Sequence, residues 1–205
     1  MSLASHLSLD PATTAHLAID MQRMFADPTD WHLPGLNALV PQVTAIAAAL
    51  PGRNFFTRFV VPYRADHAKG RWQHYYRRWH GFTGAVMDPA LIEIIDALAA
   101  HATPDTWVDK LTYSVFEASG FEERLAAVNA DTLIFTGVET DVCVLASVLT
   151  AIDRGYRVIA VTDALASSSP AGHDTTLAHV LTRLPDQVDL LDTRAVLAAL
   201  APPGR

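Results

Sequence analysis

The chain contains a single cysteine, Cys143, in 205 residues. A lone cysteine excludes a disulfide framework within the chain and predicts a reducing compartment, the cytoplasm. Positive charge is also scarce: 15 Lys and Arg stand against 22 Asp and Glu, for a net charge of −7. That deficit argues against nucleic acid or an anionic membrane as the main partner. No apolar run is long enough to span a bilayer. No basic segment followed by an apolar one opens the sequence, so no secretory leader is expected. The glycines near Gly137 and Gly155 fit neither nucleotide-binding fingerprint, so no phosphate loop is expected. The nine histidines are scattered without ligand spacing, which predicts no metal and, with the missing phosphate loop, no cofactor.

What the chain has is apolar residues, 50% of the total, enough for the full core of one domain over residues 1–205. They recur as short runs alternating with helical patterns. Strands are expected at 15–19, 54–57, 106–109, 132–135, 157–162 and 188–191. Helices are expected at 36–50, 88–100, 121–128, 142–154, 170–184 and 193–200, and residues 1–14 as a leader draped over the fold. Alternation of this kind means an α/β fold with a parallel sheet covered on both faces.

Residues 58–86 break the alternation. Arg71-Trp72-Gln73-His74-Tyr75-Tyr76-Arg77-Arg78-Trp79-His80 mixes aromatic and basic side chains. A single-stranded nucleic-acid platform has that composition, but the acidic whole opposes it. A long excursion in a compact domain is usually functional. Trp72, Tyr75, Tyr76 and Trp79 are therefore expected to divide between a pocket wall and a subunit contact in a homo-oligomer, dimer or tetramer. The alternative is an ordered loop whose aromatics pack on the core.

The organising stretch is Thr136-Gly137-Val138-Glu139-Thr140-Asp141-Val142-Cys143. It joins a strand to a helix, and Gly137 permits the tight turn. Cys143 then falls in the first helical turn, where unpaired N–H groups and the helix dipole favour an anion. The thiol is expected to lose its proton more easily than a free one, and the same N–H groups suit an oxyanion. The alternative is a small apolar Cys packing the helix onto the sheet. Two more candidates end strands: Asp20 after 15–19 and Lys110 after 106–109. In an open α/β sheet such ends meet along one edge, where ligands bind. Asp20 could accept the thiol proton, Lys110 could stabilise the thiolate, and Cys143 could attack a carbonyl.

Three segments now carry a resemblance: Ile19-Asp20-Met21-Gln22-Arg23-Met24-Phe25, Asp109-Lys110-Leu111-Thr112-Tyr113-Ser114-Val115-Phe116, and Gly137-Val138-Glu139-Thr140-Asp141-Val142-Cys143-Val144. In this order they resemble the isochorismatase-like cysteine hydrolases, which include nicotinamidases and N-carbamoyl amide hydrolases. The resemblance runs from about residue 15 to residue 192. It implies a Rossmann-like three-layer α/β/α fold with a six-stranded parallel sheet, and an Asp20–Lys110–Cys143 triad. It also implies a cis peptide between Val138 and Glu139, with the backbone N–H groups of Glu139 and Cys143 as the oxyanion hole. Gln22, Phe25, Tyr113 and Val138, within these motifs, and Trp72, in the excursion, are the candidate substrate contacts.

Departures refine the expectation. Nicotinamidases follow their second strand with an Asp-x-His metal pattern. Here the stretch is Thr57-Arg58-Phe59-Val60-Val61, which implies no catalytic metal and argues against nicotinamide. The isochorismate-cleaving members lack the nucleophilic Cys, so Cys143 points away from vinyl-ether hydrolysis. The implied partner is a small amide or carbamoyl substrate, with ether hydrolysis or a non-catalytic binding role as alternatives. Glu139 stands where many relatives have a small residue. It either faces the pocket, favouring a cationic or donor-rich substrate, or faces solvent.

Overall fold

The computed structural model describes residues 8–201; the part of the leader formed by residues 1–7 lies outside them. Leu9, in the described part, is buried, and its N–H donates to Ala199 O at 2.9 Å.

Six parallel strands form one sheet in the order β3-β2-β1-β4-β5-β6. They are β1 (Thr14–Ile19), β2 (Asn54–Phe59), β3 (Trp107–Lys110), β4 (Thr132–Val138), β5 (Arg157–Ala166) and β6 (Val188–Leu191). The α-helices are α1 (Arg23–Ala26), α2 (Val40–Ala49), α3 (Trp72–Arg78), α4 (Phe121–Ala127), α5 (Leu145–Asp153), α6 (Pro170–Thr175) and α7 (Thr193–Leu200). Every residue of β1 and β4 is buried, as expected of central parallel strands covered on both faces. Side chains alternate accordingly. Leu17, Ile19, Leu133 and Phe135 pack with Phe121 and Leu125 of α4 and Val148 of α5. Ile134, Ile159 and Val161 pack on the other face with Ile46 of α2 and Val196 of α7.

The strand order runs outward from β1 to β3, then restarts at β4 and runs outward the other way. The reversal lies between β1 and β4, and ligands of such sheets bind at the carboxyl ends beside it. Gly137 lets these strands approach. It sits at φ 100°, and a Cβ there would stand 2.1 Å from Ile19 O.

Three helices differ in detail from the periodicity. The segment 36–50 opens as a 3₁₀ turn, Leu36–Leu39, before α2. Residues 140–144 form a π turn ahead of α5, and 170–184 runs as α6, a π turn (Thr176–Val180) and a 3₁₀ turn (Leu181–Arg183). The helix expected at 88–100 does not form. Asp88 caps a 3₁₀ turn over Pro89–Ile92, and a second turn spans Asp96–Leu98. Between them the backbone is claimed by another partner: Arg23 N–H donates to Glu93 O at 2.9 Å and Ile95 N–H to Met21 O at 3.0 Å. Tertiary pairing has displaced a local helix whose apolar spacing was correct. The excursion is half helical: a 3₁₀ turn at Ala65–His67, then α3, then a turn at His80–Phe82.

His16 of β1 is fully buried between Asn54 of β2 and Thr136 of β4. The Asn54 amide nitrogen donates to Ala47 O and Leu50 O, so its oxygen faces the ring. His16 Nδ1–H therefore donates to Asn54 Oδ1 at 2.9 Å, and Nε2 accepts from Thr136 Oγ1 at 2.9 Å. Burial lowers the His16 pKa to about 4, against a smaller raising effect of the Asn54 hydrogen bond. The unfolded ring titrates near its ordinary 6.5, so between these values the unfolded chain binds the extra proton. Stability is then complete above pH ~6.5 and falls as pH drops toward ~4, by about 3 kcal/mol in all. In urea titrations His16→Gln, which carries no titrating ring, is expected to flatten stability across that window. An unchanged slope would show that other groups carry it.

Candidate active site

Asp20, Lys110 and Cys143 come from three separate strand ends and meet. Asp20 follows β1 at φ 49°, a conformation uncommon outside glycine. Its N–H donates to Thr57 Oγ1 at 2.9 Å, and the Thr57 hydroxyl donates back to Asp20 Oδ1 at 2.5 Å. The other carboxylate oxygen accepts from Lys110 Nζ at 2.8 Å. Lys110 ends β3 in register with Phe59, whose ring centroid lies 4.9 Å from Nζ. Its remaining contact is Thr112 O, at 3.2 Å. Both charged side chains are at most 1% exposed. A pair so deep needs its lone pairs and protons used, and here Thr57 and Thr112 supply further partners.

Cys143 lies in the π turn, is 8% exposed and sits close enough to Asp20 and Lys110 for both charges to act on its thiol. The sequence predicted an acidified thiol; the structure reverses this. Burial pushes the Cys143 pKa up, the Asp20 carboxylate adds to the rise, and Lys110 offsets only part of it. Burial alone would lower the Lys110 pKa, but Asp20 and Cys143 outweigh it and the net change is upward. The resting site is thus a neutral thiol beside a carboxylate–ammonium pair. A helix terminus acts within its first turn, and here burial and an adjacent carboxylate both oppose it.

Cys143 opens onto a cavity of about 350 Å³ with aromatic walls: Phe25, Trp31, Phe59, Tyr75, Trp79 and Tyr113. Trp31 is the hub. Its ring stacks on Phe82 at a centroid distance of 3.8 Å and lies 5.9–6.2 Å from Phe25, Phe59, Tyr75 and Trp79. Asp30, Glu139 and Ser168 add polar groups. Glu139 lines this space, and its carboxylate is held by Ser168, another lining residue. Oε2 accepts from Ser168 N–H at 2.9 Å and Ser168 Oγ at 2.6 Å; the Ser167 hydroxyl, 2.9 Å away, has one proton and a shorter contact, 2.5 Å, with Asp141 Oδ1.

Of the candidate substrate contacts, Phe25 and Tyr113 line this cavity. Trp72 lines a more open neighbouring cavity, with Tyr75 and Tyr113 forming a wall common to both. Gln22 does not reach either. Its Oε1 accepts from Phe59 N–H at 2.7 Å, and Nε2 donates to Ile92 O at 2.7 Å and Phe59 O at 3.3 Å. It ties the end of β2 to the segment after Pro89, so its polarity serves backbone. Val138 is fully buried in the core beneath the site. The peptide between Val138 and Glu139 is cis, as the resemblance implied. In the excursion, Tyr75 and Trp79 form cavity wall, whereas Tyr76 is interior at 1% exposure. Trp31 and Thr57 escaped the sequence reading. A tryptophan in a loop bounded by Pro28 and Pro34 was the available signal for the first. Nothing local distinguishes the threonine at 57 from any strand residue.

No metal-binding arrangement accompanies this site: among the described residues no group of three His, Cys, Asp or Glu side chains could hold an ion. After β2, Arg58 is engaged with Asp109 at 2.7 Å and Glu93 at 3.3 Å and lies over the Trp107 ring. Phe59 turns its ring to the cavity. These residues do not fit a metal centre.

Residues 14–190 match the sequence model of the Isochorismatase domain. The chain belongs to the isochorismatase family. This isochorismatase-family hydrolase is 31% identical over 166 residues to Nicotinamidase 3 of Arabidopsis thaliana, covering 80% of this chain and 78% of that protein. A second A. thaliana relative, named a probable inactive nicotinamidase, is 27% identical over 167 residues, covering 78% of this chain and 84% of the relative. The crystal structure of a cysteine hydrolase from Pseudomonas syringae pv. phaseolicola 1448A matches with a TM-score of 0.80 at 25% identity, covering 97% of this chain and 98% of that one.

Proposed function

We propose that this chain hydrolyses a C–N bond, amide or carbamoyl, in a small molecule, through a thioester on Cys143 and without a metal. The observation that carries this reading is one thiol at a substrate-sized cavity, under the charges of a buried Asp20–Lys110 pair 2.8 Å apart. The rise in the thiol pKa sets the order of events. Cys143 is not a standing thiolate, so its proton passes to Asp20 as the sulfur attacks the carbonyl carbon. Lys110 compensates the negative charge that moves from carboxylate to sulfur to oxygen. The backbone N–H groups of Glu139 and Cys143 receive the oxyanion. Asp20, now protonated, gives its proton to the departing nitrogen as the C–N bond breaks, leaving the acyl group on sulfur. A water then loses a proton to Asp20, attacks the thioester and releases the acid, and the proton returns to the sulfur.

A non-catalytic role fits less well, because a binding module has no use for a buried acid, base and thiol brought together. A panel of small amides, ureido acids, nicotinamide and isochorismate decides the matter. Ammonia release from an amide or ureido compound is expected, at a rate unchanged by dialysis against chelator. Activity lost on chelation and restored by one specific ion would overturn the metal-free mechanism. Turnover of isochorismate alone would replace it with ether hydrolysis.

A further inference from the structure

The cavity above Cys143 has a definite charge. Two carboxylates, Asp30 and Glu139, line it, and neither Lys nor Arg does. Lys110 does not change that balance, since it is buried below the cavity and neutralised by Asp20 at 2.8 Å. The nearby Arg78 lies over the Trp79 ring at 5.3 Å but is not part of the lining. Carboxylates beside electron-rich rings make a place for positive charge. Aromatic walls on several sides, with Trp as the strongest contributor, are the usual means of holding an organic cation. The phenol of Tyr75 reflects this environment. Burial raises its pKa, the Glu139 carboxylate adds to the rise, and Arg78 offsets part of it.

We propose that the cavity selects a cationic substrate: a small amide or ureido compound carrying a quaternary ammonium or guanidinium group. The cation would lie among Trp31, Tyr75 and Trp79 with Glu139 and Asp30 beside it, and the scissile carbonyl over Cys143. This substrate class rests on the hydrolytic reading above. The anchoring of Glu139 is the feature that favours it over an incidental surface charge. Two hydrogen bonds to one oxygen, from the N–H and hydroxyl of Ser168, fix the carboxylate on the cavity wall, so holding a cation there requires little reorganisation. An anionic ureido acid would meet both carboxylates and find no Lys or Arg among the lining residues; the one lining imidazole, His32, donates its Nδ1–H to Asp27 O at 3.0 Å.

The test separates binding from turnover. Cys143→Ala protein is titrated calorimetrically with three probes: trimethylammonioacetamide, its uncharged isostere tert-butylacetamide, and anionic ureidoacetate. Cys143→Ser serves if the alanine variant does not fold. The cation is expected to bind at least tenfold more tightly than its isostere, and ureidoacetate most weakly. Glu139→Gln, which keeps an oxygen for the two Ser168 donors, and Asp30→Asn, each added to the same background, should reduce the cation-to-isostere ratio. An isostere bound as tightly as the cation, a preference for ureidoacetate, or no measurable binding of the cation would overturn the proposal. Wild-type ammonia release from the same compounds tests the hydrolytic reading separately. Selective cation binding with no amide turned over would remove the hydrolase and leave the cation site standing.

Discussion

Cys143→Ala is expected to lower turnover by at least ~10⁴-fold, the scale seen when an attacking atom is removed and the rest of a catalytic unit remains. The reason lies in how the site is assembled. Asp20 and Lys110 are held by contacts that do not involve the sulfur: Thr57 grips the carboxylate and Thr112 O the ammonium. Removing the sulfur therefore leaves acid, base and cavity in place with nothing to attack the carbonyl. The fold should persist, because one sulfur in a well-packed site is a small loss beside the whole core; a melting temperature close to that of the wild type checks this. With the wild type, rapid quenching during turnover should show the acyl group on Cys143 by mass spectrometry. Substantial activity in Cys143→Ala would end the thioester mechanism.

Lys110→Met should affect stability and chemistry together. The ammonium and the Asp20 carboxylate form an ion pair 2.8 Å apart with almost no exposure. Removing one member strands the other, which typically costs about 3–5 kcal/mol. For a chain of this size that corresponds to a fall in Tm of roughly 6–20 °C. The double variant Asp20→Asn/Lys110→Met should recover part of the loss, because it leaves no uncompensated charge. The chemical effect has a definite sign. Lys110 is the group that holds the Cys143 pKa down against burial and Asp20, so its loss should move the thiol still higher. Alkylation of Cys143 by iodoacetamide, followed against pH, should shift its rise to higher pH in Lys110→Met. An unchanged profile in a folded variant would separate Lys110 from the sulfur electrostatically. Turnover is expected to fall severely as well, and assay below the lowered Tm distinguishes lost chemistry from lost fold.

Much of this site was readable from the chain because the features are local. An apolar run ending in Asp20, another ending in Lys110 and a Gly-containing strand-to-helix turn before Cys143 are each defined by neighbours in sequence. A parallel sheet with its reversal between β1 and β4 then brings such ends to one edge. The six strands were read correctly for the same reason: a buried parallel strand is a short apolar run, whatever its partners.

What failed depended on partners distant in sequence. The spacing of Leu91, Ile92, Ile95 and Leu98 suits a helix, yet residues 21–23 take the intervening backbone groups and hold it extended. Gln22 reads as a polar group beside the Asp20 carboxylate, but its amide is wholly occupied by the backbone of Phe59 and Ile92. Trp31 becomes the hub of the cavity, and Thr57 the grip on Asp20, only when segments tens of residues apart converge. The thiol shows the division most clearly. Its place in a turn ahead of a helix was set by the local sequence, and that place alone suggests an acidified cysteine. Its pKa moves the other way because the folded chain buries it and sets Asp20 against it, and desolvation and charge proximity exist only in three dimensions.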